Sequence, residues 1–108
     1  MNWMQFGKII SDARKGLGIS QKDLAAKIKK EDGETISAQY LNDIEHNRRN
    51  PPSEFIIQQL AKELKLNKDH LCLIAGTVPQ DLQSAISTAE PTKVEEAMKA
   101  FRRTVKSR

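Results

Sequence analysis

At 108 residues, 38% hydrophobic and 30% charged, the chain has room for one small domain and an appended element, which excludes a large multidomain enzyme. Eighteen Lys and Arg against 14 Asp and Glu leave +4, a bias that permits a polyanionic partner without requiring one. An aromatic share of 5% argues against an RNA platform built on base stacking.

Alternating strand patterns are nearly absent, whereas apolar residues recur at helical three-and-four spacing. Phe6, Ile9, Ile10, Ala13 and Leu17 form the first stripe, which stops at Gly16-Leu17-Gly18, where glycine supplies a left-handed cap. Ser20 reads as the N-cap of a second helix with Leu24, Ala25 and Ile28 on one face. Asp23 stands three residues on, where a capping box has Glu. Residues 29–35, KKEDGET, are charged and centred on Gly33, so they predict a solvated loop. Ser37 caps a third helix, from Ala38 to about His46, which turns Leu41 and Ile44 inward.

Asn47-Arg48-Arg49-Asn50-Pro51-Pro52 breaks that helix, because proline lacks an amide donor and restricts the residue before it. Ser53 is then expected to cap a fourth helix with Phe55, Ile56, Leu60, Ala61 and Leu64 on its core stripe. Asn67 caps a fifth, carrying Leu71, Cys72 and Ile74 and ended by Gly76. Cys72, the single cysteine, excludes an internal disulfide framework and a cysteine-rich zinc site, and reads as a small buried hydrophobe.

Beyond Gly76 the texture changes. Residues 79–91 read as a short helix, Pro79 to Ile86, running into a linker over Ser84 to Thr92. Residues 92–108 predict a terminal amphipathic helix with Val94, Ala97, Met98, Phe101 and Val105 at helical spacing. From Lys93 to Arg108 there are six basic and two acidic side chains, so this segment carries a net charge equal to that of the whole chain. The other 92 residues are balanced, with Arg48-Arg49 a second local cluster. The apolar stripe suits a fold-back onto the core, a homodimer interface or another protein partner, and the basic face suits DNA phosphates.

The run Ser20-Gln21-Lys22-Asp23-Leu24-Ala25-Ala26-Lys27-Ile28, followed by Ser37, Tyr40-Leu41-Asn42-Asp43-Ile44-Glu45-His46-Asn47-Arg48-Arg49-Asn50-Pro51, resembles the Cro/C1-type (XRE) helix-turn-helix family over roughly residues 6–76. The resemblance implies an all-α fold: a five-helix Cro/C1-repressor-like DNA-binding domain over residues 1–78, with an additional C-terminal helix. It implies that the second helix crosses the backbone of double-stranded DNA and that the third enters the major groove. Gln21 then matches the family's phosphate-binding glutamine. Ser37, Ala38, Gln39, Asn42 and Asp43 match its groove-facing positions.

At those positions Gln39 and Asn42 suit adenine N6 and N7, Ala38 a thymine methyl, and Asp43 cytosine N4. Ser37 and Tyr40 are expected at the DNA backbone. So are Asn47, Arg48 and Arg49 in the exit loop, where contact positions without reading sequence. By the same comparison Arg14 and Glu45 form a structural ion pair, a bidentate bond that fixes the recognition-helix angle. One departure stands out: eight residues separate Ile28 from Ser37, where the family has about two, and the extra ones include Glu31, Asp32 and Glu34. That loop is expected to bulge away from DNA or to turn its acids toward a protein.

No enzyme is expected, since no nucleophile stands beside a base and no glycine-rich phosphate loop follows a strand. His46 and His70 lack partner ligands, so neither a metal nor a cofactor is expected. No apolar run approaches the roughly 18 residues of a membrane span, and MNWMQFGKII lacks the features of a signal peptide. A cytoplasmic protein, nucleoid-associated when bound, is the simplest expectation. The leading function is a repressor binding a palindromic operator as a homodimer through Val94, Met98, Phe101 and Val105. The alternatives are the antitoxin of a toxin–antitoxin pair and a pure protein-interaction module.

Overall fold

A computed structural model of the chain describes residues 4–107. Its helices are α1 (Met4–Gly16), α2 (Gln21–Ala25), α3 (Ala38–Glu45), α4 (Glu54–Leu64), α5 (Lys68–Ile74), α6 (Gln80–Thr88) and α7 (Pro91–Lys106). The first five enclose one core, in which Phe6, Ile10, Leu24, Ile28, Leu41, Ile57, Leu60, Leu71 and Cys72 are fully buried. Three side chains cap helix starts: Ser20 Oγ accepts from Asp23 N, Ser37 Oγ from Tyr40 N and Asn67 Oδ1 from His70 N. Ser53 occupies the N-cap of α4 but makes no side-chain cap bond.

Two stripe assignments change. Leu17 is 41% exposed, because α1 has already ended at Gly16 and the chain turns at Gly18, where φ is +71°; Arg14 takes the buried place in the last turn instead. Phe55 is 47% exposed, while Ile57 is fully buried. The core face of α4 is Ile56, Ile57, Leu60, Ala61 and Leu64, whereas Phe55 shares its face with Gln59 and Lys62 at i+4 and i+7.

The acidic insertion is more ordered than a solvated loop. Lys29 and Thr35 form an antiparallel β-bridge, Lys30 N donates to Glu34 O at 2.7 Å, and Ile36 N donates to Ile28 O at 2.9 Å. Gly33 closes the tight turn at φ +89°, a conformation that costs glycine little. Gln59 of α4 holds this small hairpin from both sides, accepting from Lys29 N at 2.8 Å and donating to Lys29 O at 2.7 Å. Glu31, Asp32 and Glu34 remain exposed.

The expected linker over Ser84 to Thr92 is largely helix. α6 continues to Thr88, and only Ala89 and Glu90 separate it from α7, whose first residue is Pro91. Proline suits that position because the first-turn amide has no intrahelical partner. Gln80 N donates to Glu54 Oε1 at 2.9 Å, so the start of α6 is pinned to the start of α4. Neither α6 nor α7 contains a buried residue. Accordingly the radius of gyration is 15.6 Å, against about 13 Å for a closed domain of this size.

Gly7 sets how closely α1 approaches the end of α3. A Cβ there would lie 2.5 Å from Ile44 O, 2.7 Å from Glu45 O and 2.7 Å from Asn47 Oδ1. Two of these atoms are backbone and cannot swing aside. Gly7→Ala should therefore destabilise the fold by about 1–3 kcal/mol, the usual range for overpacking. Urea unfolding checks this, and a variant as stable as wild type would show that α3 moves freely against α1.

Candidate nucleic-acid interface

α3 crosses the front of the core with Leu41 and Ile44 turned inward. This leaves Ala38 and Gln39 exposed and Asn42, Asp43 and Tyr40 half-buried along its outer side. The helix is held in place from behind. Arg14 Nε donates to Glu45 Oε2 at 2.7 Å, its second terminal nitrogen donates to Glu45 Oε1 at 3.0 Å, and the third nitrogen donates to Ile19 O at 2.9 Å. One guanidinium thus ties α1, the α1–α2 turn and the end of α3. The pair is withdrawn from water, with side chains 10% and 2% exposed. Burial works to raise the Glu45 carboxyl, but hydrogen bonds from Arg14 and Gln21 and the Arg14 charge outweigh it and hold the group below the usual carboxylate range.

Gln21 belongs to the same brace. Its Nε2 donates to Asn42 Oδ1 at 3.1 Å and to Glu45 Oε1 at 3.0 Å. Both protons of its side-chain amide are therefore used inside the protein, and a phosphate would have to displace one of these bonds. Despite the insertion between them, α2 and α3 are joined directly by these contacts.

The outer side of α3 has its own order. Gln39 Nε2 donates to Asp43 Oδ1 at 2.9 Å, and Arg48 reaches the same oxygen at 3.4 Å. Asp43 therefore steadies Gln39 and the exit loop, a role the base-pairing scheme did not contain. In that loop Asn47 adopts φ +58°, a left-handed conformation that Asn tolerates better than most residues. Its Oδ1 lies beside Gly7, directed at α1. The Arg49 guanidinium stacks 4.4 Å from the Tyr40 ring centroid, which places a cation beside the outer side of α3. Ser37 Oγ accepts the cap bond and retains its hydroxyl proton for an outside acceptor.

A helix-turn-helix family model matches residues 10–71, more than half of the chain. The chain belongs to the Cro/C1-type helix-turn-helix family. No curated protein and no solved structure matches it. As a Cro/C1-type protein it is a DNA-binding regulator, and the family is a regulatory rather than an enzymatic one. The match runs through the acidic hairpin, so the insertion sits inside the motif without breaking it. Among the described residues no helix is long and apolar enough to cross a membrane.

Gly7 and Gln59 are the positioning residues that sequence reasoning did not single out. A glycine inside a helical stripe with no cap to serve is a signal of close packing. Gln59 gave no such signal, since its partner Lys29 is thirty positions away and bonds through backbone atoms.

Proposed function

We propose that the chain is a transcriptional repressor that binds a palindromic operator as a homodimer. Residues 1–78 form the DNA-reading unit and the helices after them the pairing unit. Gln39, Asn42 and Ala38 read base edges in the major groove. Asp43 orients Gln39 and is available to cytosine N4 at the groove edge. Ser37, Tyr40, Arg48 and Arg49 contact the backbone, and Asn47 shapes their loop. Gln21 braces α3 and meets a phosphate only by exchanging one of its internal bonds.

The observation that carries this proposal is the outer side of α3. Gln39 is left exposed with its amide orientation set by Asp43, while two arginines flank the helix end. A bidentate amide held in one orientation suits adenine. Selection of bound duplexes from a random pool by the full chain tests the proposal. It should enrich two inverted half-sites about 34 Å apart, one turn of DNA. Enrichment of a single half-site, or of no sequence at all, would contradict it.

A further inference from the structure

We propose that the α6–α7 hairpin is the seam between two copies of this chain. In it α7 packs antiparallel on the partner's α7, and Glu95 faces the partner's Arg102. The proposal rests on the dimeric reading above and gives it a register. Val94, Met98, Phe101 and Val105 follow a four-three-four spacing along α7, which is the core seam of a coiled coil. Within the chain this seam is only partly covered. Met98, Phe101 and Val105 are 43%, 50% and 63% exposed, as are Leu82 and Ile86 of α6 at 49% and 48%.

Between the two helices lies an open apolar groove of about 330 Å³. Its α7 lining is Lys93, Val94, Ala97, Met98 and Phe101, so α6 lies on the flank of α7 that carries Ala97. Val105 is absent from the groove because α6 is too short to reach it: at 1.5 Å per residue α6 spans about 14 Å and α7 about 24 Å. Glu95 and Arg102 stand on the other flank, which α6 leaves open. Among the described residues Glu95 pairs there with Lys99 alone, at 3.2 Å, with both side chains about two-thirds exposed.

Charge selects the direction of pairing. An antiparallel pair centred between Met98 and Phe101 stacks Val94 on the partner's Val105 and Met98 on the partner's Phe101. The open flanks then place Glu95 beside Arg102 of the partner subunit, twice by symmetry. Glu95 and Glu96 in the second turn of each α7 lie toward the basic end of the other, and the helix dipoles oppose. A parallel, in-register pair would instead bring Glu95 toward the partner's Glu90 and gather Arg102, Arg103 and Lys106 of both copies at one end. Arg108 of the same basic tail lies outside the described residues. In the antiparallel arrangement the two α6 helices meet on the Ala97 side, completing a four-helix bundle over Leu82 and Ile86.

Sedimentation of the full chain without DNA tests this. Glu95→Arg and Arg102→Glu should each weaken the dimer about tenfold, because each creates two like-charge contacts. The double variant E95R/R102E should restore the dimer constant to within about twofold of wild type. A dimer that ignores the single changes, or a double variant as weak as both singles combined, would overturn the register while leaving the dimer intact. A wild type that sediments as a monomer at every concentration would overturn both. Cysteines give an independent readout that does not depend on charge. Mixed Val94→Cys and Val105→Cys chains should form the mixed disulfide, with Cys72 kept out of exchange by its burial. Predominant Val94→Cys homodisulfide would show parallel pairing.

Discussion

Arg14→Ala should cost about 3–5 kcal/mol of folding stability, the range for removing one member of a buried ion pair. The loss exceeds a single hydrogen bond because three connections go together: two to Glu45 and one to Ile19 O. It also leaves the Glu45 carboxylate withdrawn from water with Gln21 and Ser11 as its remaining donors. Acid dependence distinguishes this cause from a simple packing loss. In wild type the Glu45 carboxyl is held low, so its contribution is present above the unfolded-state value of about 4.3 and is lost as pH falls through the folded one. In Arg14→Ala the hydrogen bonds and charge from Arg14 that hold the carboxyl low are gone, so protonating it costs the variant less than wild type. Acidification then removes the unpaired charge, and the deficit against wild type narrows below about pH 4. Urea titrations of both chains across that range check it, and a deficit constant with pH would reject the charge explanation.

Phe101→Asp should lower operator affinity by about 100-fold or more while leaving the five-helix core intact. The side chain is 50% exposed and lies outside that core, so the monomer loses little. In the proposed dimer what the change removes is pairing: two linked reading heads would convert the second half-site contact into an intramolecular step, typically worth 10²–10⁴ in overall affinity. The variant's affinity for a full palindrome should fall to that for an isolated half-site. Gel-shift titration on both duplexes, with thermal unfolding as the control, measures this. Undiminished palindrome binding would remove α7 from the dimer.

The parts of this molecule fixed by local chemistry were legible in its sequence. Ser20, Ser37 and Asn67 each cap the helix their side-chain oxygens announce. The helix-turn-helix pattern is likewise written in short-range spacing. Phe55 and Leu17 were misplaced because composition marks them as apolar while a single residue of helix phase, or one residue past a helix end, turns them to solvent. The stretch after Ser84 reads as linker because Ser and Thr are weak helix formers and Pro breaks a helix interior, yet Pro91 opens α7 instead of ending α6. Asp43 illustrates the limit at the site itself. Its place on α3, four residues after Gln39, is plain from spacing, but its bond to Arg48 depends on how the exit loop folds back.

The central claim, that the outer side of α3 reads bases, is tested most directly by Gln39→Ala on the selected operator and on its single-base variants. Removing one bidentate amide should cost about 1–3 kcal/mol on the preferred site and abolish discrimination at one position in each half-site. Unchanged affinity with the same base preference at every position would show that Gln39 does not face the groove.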